Sequence, residues 1–279
     1  MKITKIEQQA KAKDRYSVYV DDKFWLGVGE EVLIHYALHK GQILDQAAKE
    51  KIQAAEFNHK VYSQAIHYLS YGLRSIKEVK DYLAKGRKDR IAHQSSDYQD
   101  DQVVDAVIDK LIDQGYLNDL VYGQSYVRTL ATVNRKGSRQ IYRDLIAKGL
   151  SDHEIEEALL EYSQDQEIEN LNYQAEKYAR SKKKLTAKML SQKLRHHLVA
   201  KGFPNDLINA YLSVRNQEDS ESEEHLLEEM AAKEYRKRSR RDRGWTLKQK
   251  LVQALYRKGF HMDQIQTWIN QHEDLFIED

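Results

Sequence analysis

The pattern of apolar and polar positions changes character once along the chain. Near its start, Tyr16, Val18 and Val20 alternate with Ser17, Tyr19 and Asp21, the two-residue period of a strand with one covered face. Asp21-Asp22-Lys23 is a turn signal, and Phe24-Trp25-Leu26 resumes the extended pattern. With a further short strand around Ile3 and Ile6, the opening segment is expected to be a small antiparallel sheet. Glu30 to His39 reads as a short helix stopped at Gly41. From about residue 45 onward the apolar residues recur at helical spacing almost throughout.

An internal repeat runs through the helical part. Paired apolar residues followed by Lys-Gly occur four times, as Tyr82-Leu83-Ala84-Lys85-Gly86, Leu145-Ile146-Ala147-Lys148-Gly149, Leu198-Val199-Ala200-Lys201-Gly202 and Leu255-Tyr256-Arg257-Lys258-Gly259. After each of the last three glycines an apolar residue follows at once (Leu150, Phe203, Phe260), another six on (Ile155, Ile208, Ile265) and another ten on (Leu159, Leu212, Ile269). Ile108, Leu111 and Ile112 fit the same frame in the first copy if the polar run Arg87 to Gln102 is an insert. Each Lys-Gly is expected to close a helix, because glycine takes the left-handed conformation and lysine favours the negative helix end. Ser75-Ile76-Lys77-Glu78, Ser151-Asp152-His153-Glu154 and Thr246-Leu247-Lys248-Gln249 fit the capping box that opens a helix. Pro204 stands where a first helical turn tolerates proline.

Counting the helix upstream of each cap, every unit has three helices. The expected fold is therefore mainly α: tandem three-helix repeats in an elongated array, after a small N-terminal antiparallel β segment. The expected boundaries are 1–44 for the β/α segment, then 45–114 (with the polar insert 87–102), 115–165, 166–216 and 217–279 for the four units.

Charge adds a second periodicity. The chain has 45 basic and 44 acidic residues, a net charge of +1, which alone argues against a general nucleic-acid coat. Locally the signs separate. Residues 177–201 hold nine Lys or Arg and no acidic residue, and residues 233–258 hold eleven against two. Residues 151–176 hold nine acidic residues and no Lys or Arg, and 216–229 hold seven and none. The expectation is that the first two helices of each unit are basic and the third with its exit acidic, giving one face suited to phosphates. The competing reading is solvated helix faces. Tyr142, Tyr178, Tyr235 and Trp245 lie among the basic residues, placed either to stack on bases or to fill cores.

Other chemistry finds little support. The chain has no cysteine, so no disulfide or thiolate site, which fits a reducing compartment. The start, Met1-Lys2-Ile3-Thr4-Lys5, is followed by no apolar run of a signal peptide, and no stretch approaches a membrane span. Phosphate-loop and dinucleotide motifs are absent. His35 and His39 are four apart on the expected helix, but no acidic base lies between them; His196 and His197 are adjacent and point apart. The expectations are a cytoplasmic, non-enzymatic monomer with no cofactor, no metal and no membrane partner.

At the second unit a family pattern emerges. Gly115-Tyr116-Leu117-Asn118-Asp119, Tyr122, Tyr126, Arg128, Lys136-Gly137, Ile141, Leu145 and Lys148-Gly149 resemble the RecX family of bacterial recombination regulators. Ala65, Tyr68-Leu69, Arg74-Ser75, Glu78-Val79, Leu83 and Lys85-Gly86 agree in the first unit, and Ile3 to Ile6 with Tyr16 to Tyr19 resemble the extra N-terminal segment of the family's longer members. Gly72 stands where the family often has a second basic residue, and the fourth unit departs most, with a denser basic run. The resemblance implies tandem three-helix units in the groove of the RecA recombinase filament on single-stranded DNA, inhibiting its ATPase, strand exchange and co-protease functions. Arg74, Arg128, Lys136, Arg139, Arg143, Arg180, Lys182, Lys183, Lys184, Lys188, Arg195, Arg236, Arg238, Arg240 and Arg241 are the expected electrostatic contacts. Two other classes remain: a free-standing single-stranded DNA or RNA-binding repeat protein, and a metal-dependent nuclease built on the acidic segments.

Overall fold

A computed structural model describes residues 1–88, 97–182, 185–218 and 220–276. The chain forms two compact bodies, residues 1–122 with 148–150, and residues 123–147 with 151–279.

In the first body, β1 (Ile3–Gln9), β2 (Ala12–Val20) and β3 (Lys23–Gly29) form an antiparallel sheet in the order β1-β2-β3. Val18 pairs with Ile6 on one side and Leu26 on the other. The tight turn between β2 and β3 has positive φ at both central residues, 47° at Asp21 and 62° at Asp22. That is the primed geometry matching strand twist, and Asp tolerates it better than most side chains. Helix α1 (Glu30–His35) is shorter than expected. Leu38 donates back to the Leu33 carbonyl and Ala37, at φ 44°, to that of Ile34, a left-handed close that drives Leu38 into the core. His39 consequently lies outside the helix, with Nδ1 2.9 Å from the Ala37 carbonyl, and shares no helical face with His35.

Helix α2 (Gln46–Leu69) covers the sheet. Its Glu56 is 4% exposed, and both oxygens are occupied: Oε1 accepts from Arg15 at 2.6 Å and Oε2 from the Gly29 N–H at 2.8 Å. A buried carboxylate needs such partners, and here they tie β2 and β3 to α2. Helices α3 (Ile76–Lys88) and α4 (Asp97–Asp113) complete the first repeat around Ala65, Val79, Leu83, Ile108 and Leu111. Of the expected insert 87–102, residues 97–102 belong to α4, and residues 89–96 lie outside the described residues.

Among the described residues the remaining helices fall into three further triplets. They are α5 (Asp119–Thr132), α6 (Ser138–Ala147) and α7 (Asp152–Leu159); α8 (Gln164–Arg180), α9 (Ala187–Lys201) and α10 (Asn205–Glu218); and α11 (Ser220–Arg238), α12 (Gly244–Arg257) and α13 (Met262–Gln271). Leu171, Leu194, Leu198, Phe203 and Ile208 make one core, and Leu227, Leu251, Leu255, Phe260, Ile265 and Trp268 another. The capping boxes of Ser75 and Ser151 form as expected. Thr246 does not cap: α12 begins at Gly244, one turn earlier than the motif suggests. Pro204 sits just ahead of α10, its carbonyl accepting the Ile208 N–H at 3.1 Å.

The Lys-Gly phrases do more than end helices. Gly149, Gly202 and Gly259 have φ of 92°, 86° and 96°, and each sits on the N-terminus of the middle helix of the preceding repeat. Ser75 Oγ donates to the Lys148 carbonyl at 2.7 Å. The N–H groups of Gly137 and Arg139 donate to the carbonyls of Lys201 and Gly202, both at 3.0 Å. Thr186 Oγ1 donates to the Lys258 carbonyl at 3.0 Å. The carbonyl-rich end of one helix thus meets the amide-rich end of another, opposite partial charges in contact. Acidic side chains add to it: Asp119 accepts from the Ile76 N–H at 2.8 Å, and Glu167 from the Ser138 N–H at 2.6 Å.

Gly86 is the exception, because α3 runs through it to Lys88. The buried stripe explains why. Ile141 and Leu145 lie eight and four residues before Gly149, as Leu194 and Leu198 do before Gly202 and Leu251 and Leu255 before Gly259. Val79 and Leu83 lie seven and three before Gly86. That glycine is out of phase with the others, and no earlier three-helix repeat offers it a helix end.

A Cβ on Gly202 would overlap the backbone and Cβ of Gln140, whereas one on Gly115, also at positive φ, would meet nothing within 4 Å. Gly115→Ala is expected to cost only the left-handed penalty of about 1–2 kcal/mol, and Gly202→Ala about 1–3 kcal/mol more from overpacking, read as urea midpoints at constant slope. Burial pushes the Glu78 carboxyl up, but the Lys148 ammonium and the Ser75 N–H outweigh it and hold the net value below the usual 4.5. Its stabilising contribution is therefore present above that value and lost as pH falls through the folded one. The stability gap between the native chain and Glu78→Gln should shrink on acidification in denaturation series at stepped pH.

Candidate nucleic-acid interface

In the second body, α8 shapes the loop that joins α5 to α6. Asn170 Nδ2 donates to the Ala131 carbonyl and to the Tyr162 hydroxyl, both at 2.9 Å, and Tyr162 donates to the Lys136 carbonyl at 3.0 Å. Burial pushes the Tyr162 phenol up to about 12, so it remains a neutral donor. Gln174 Nε2 reaches the carbonyls of Asn134 and Arg135, and the Arg135 guanidinium lies 4.0 Å from the Tyr173 ring centroid. A loop fixed this way presents Ser138, Arg139, Tyr142 and Arg143 along a groove of about 460 Å³, with Leu159, Val199, Phe203 and Asn205 as the remaining wall. Both arginines are exposed, and neither forms an ion pair among the described residues.

The first helices depart from the expected assignment of charge, whereas α6 and α9 carry no acidic residue in their first turns and α7 opens on Asp152 and Glu154. Helix α8 is the first of its repeat, yet its first turn is acidic, with Asp165 and Glu167, and only its last turn is basic, with Lys177 and Arg180. Helix α11 ends on Arg236, Lys237 and Arg238. In α8 each sign sits where the helix dipole favours it, whereas Arg139 and Lys188 stand in the first turns of α6 and α9.

The expected contact residues divide accordingly. Arg74 is half-buried, 4.8 Å from the Tyr68 ring. Lys136 pairs with Asp144 at 3.2 Å, Arg128 with Glu161 at 3.1 Å, Arg180 with Glu176 at 3.0 Å, and Arg238 with Glu234. Arg195 donates to Asn209 at 2.6 Å, and Lys182 lies over Tyr178 at 5.8 Å. Arg139, Arg143, Lys188, Arg236, Arg240 and Arg241 are exposed with no carboxylate partner among the described residues. Lys183 and Lys184 lie outside the described residues. Lys237, Arg243 and Lys248, outside the expected contact set, also have no carboxylate partner among the described residues. Of the aromatic candidates, Tyr142 donates to Asp152 at 2.8 Å, Tyr178 stacks on His197, and Tyr235 packs edge-on to Phe276. Among the described residues Trp245 alone of the four has no such partner, and it is 70% exposed.

Fold and surface together define a tandem three-helix-repeat protein with basic helix ends and a β-sheet cap. Residues 1–45 match the Regulatory protein RecX N-terminal domain, residues 118–159 the second three-helix domain of RecX, and residues 164–212 and again 222–269 its third three-helix domain. The chain is 35% identical to a regulatory protein RecX of Listeria welshimeri over the full length of both, and 36% identical to that of Bacillus cereus over 98% of each. A crystal structure of regulatory protein RecX superposes with a TM-score of 0.62 at 31% identity, covering 75% of this chain and 97% of that one. RecX from Lactobacillus salivarius gives 0.50 at 33% identity, over 58% and 99%. The chain belongs to the RecX family of regulatory proteins.

If the α6 groove contacts phosphates, Arg139→Ala with Arg143→Ala should flatten the log–log salt dependence of single-strand binding by about 1 to 2. Fluorescence anisotropy across a salt series measures it.

Proposed function

We propose that this chain regulates a RecA-type recombinase from the cytoplasm, as a monomer and without catalysis of its own. It lies in the groove of the recombinase filament on single-stranded DNA and lowers ATP hydrolysis, strand exchange and co-protease activity. Membership of the RecX family supports the regulatory part. The observation that carries the rest is the recurrence of uncompensated exposed cations, Arg139, Lys188, Arg236, Arg240 and Arg241, in successive repeats, with acidic first turns on other helices, α7 and α8. Free cations suit strand phosphates, and the acidic turns suit basic protein surfaces lining a filament groove. Weak contacts repeated along one chain add through effective concentration.

The test is ATP hydrolysis by the host recombinase on single-stranded DNA, titrated with this protein while binding to bare strand is followed. Inhibition well below one chain per recombinase, without competition for bare strand, is the expected result. Tight binding to bare strand with hydrolysis unchanged would instead indicate a free-standing nucleic-acid module. Arg236→Glu, Arg240→Glu and Arg241→Glu together should raise the half-inhibiting concentration by about tenfold or more, about 1.4 kcal/mol.

A further inference from the structure

The turn joining α11 to α12 carries a concentration of charge that the fold leaves unbalanced. Its two carboxylates are both taken: Glu234 by Arg238 and by Lys258 at 3.4 Å, and Asp242 by Lys250 at 2.5 Å. Arg236, Lys237, Arg240, Arg241, Arg243 and Lys248 then have no carboxylate partner among the described residues. The turn itself is ordered by its backbone, with the N–H groups of Arg241 and Asp242 both donating to the Arg238 carbonyl at 2.9 and 3.0 Å. Arg243 adds a guanidinium bond to the Ser239 carbonyl.

Trp245 stands in the first turn of α12, directly after this cluster. Among the described residues its indole has no ring or hydrogen-bond partner, and it is 70% exposed. The sister repeat shows that the fold does not require an aromatic there. Lys188 occupies the same place in α9, fourteen residues before its Lys-Gly glycine, as Trp245 is before Gly259, and it too is exposed. Both repeats match the same third-domain description. A position that accepts an exposed lysine in one copy and a tryptophan in the other is not a packing position.

We propose that Trp245 is a base-stacking platform for single-stranded nucleic acid, with Arg240, Arg241 and Arg243 gripping the phosphates beside it. An indole face takes any base, and flanking cations hold the backbone without reading sequence. The proposal rests on the reading that the basic helix ends meet a nucleic-acid strand, and it names where a base is held.

The probe is intrinsic fluorescence of the full chain titrated with oligo(dT), and with oligo(U) as the ribose counterpart. Trp25 and Trp268 remain as the background in Trp245→Phe. The expected result is quenching that is lost in Trp245→Phe. Trp245→Ala should weaken affinity about tenfold while keeping the salt slope, and Arg240→Ala with Arg241→Ala should flatten that slope by about 1 to 2. Quenching retained in Trp245→Phe, or native affinity in Trp245→Ala, overturns the stacking site; if salt-dependent binding persists, the electrostatic reading survives it. An equal loss with both oligonucleotides marks a platform for either strand; a loss with only one ties the platform to that sugar, and both outcomes support it. No binding of either strand by the native chain overturns the stacking site, and unchanged recombinase hydrolysis in addition would take the proposed function with it.

Discussion

The fold depends on helix ends finding each other across repeats. A helix leaves its first amides and last carbonyls without internal partners, and in most proteins side chains or water supply them. Here the C-terminus of one middle helix is applied to the N-terminus of the preceding one, through Lys148 on Ser75, Lys201 on Gly137 and Lys258 on Thr186. The contact satisfies both ends together and juxtaposes their opposite partial charges. It also explains the glycines: left-handed backbone turns the chain there, and a Cβ on Gly202 would collide with Gln140, as one on Gly137 would with the Gly202 carbonyl.

The same helix polarity organises the surface. Asp165 and Glu167 begin α8 while Lys177 and Arg180 end it, so local stability accounts for the change of sign along that helix. What it does not account for is the surplus. Arg128, Lys136, Arg180 and Arg238 answer carboxylates within their own repeats. Arg139, Lys188, Arg240 and Arg241 answer none among the described residues. A partner of opposite charge is read from that remainder, not from the gross count of basic residues.

Much of this was legible in the chain itself. The alternation Tyr16-Val18-Val20 located the sheet, and the apolar offsets from Gly149, Gly202 and Gly259 located the triplets, because both are local periods. The errors were local signals overruled by distant ones. His39 fell outside α1 because Leu38 is drawn into the core, and Gly86 stayed helical because its stripe is one residue out of phase. Thr246 looked like a cap only because the turn before Gly244 has no motif of its own. The docking of the last three Lys-Gly phrases on earlier helices was hidden, since the partners are separated by up to 73 residues. Which basic residues are spent in internal pairs was equally hidden, because that depends on side-chain geometry.

The helices α9 and α12 begin seven residues before the buried Leu194 and Leu251, where α3 and α6 begin three before the corresponding Val79 and Ile141, a difference of about one helical turn. Each junction needs only a backbone carbonyl after one middle helix and a hydroxyl or amide donor at the start of another. A duplicated segment spanning one such triplet inherits both halves of the joint at birth and needs no compensating change in its neighbours. The two stretches that share the third-domain description carry Lys188 in one copy and Trp245 in the other at the same exposed place. In a protein joined this way, novelty arrives by the module, and refinement follows one exposed residue at a time.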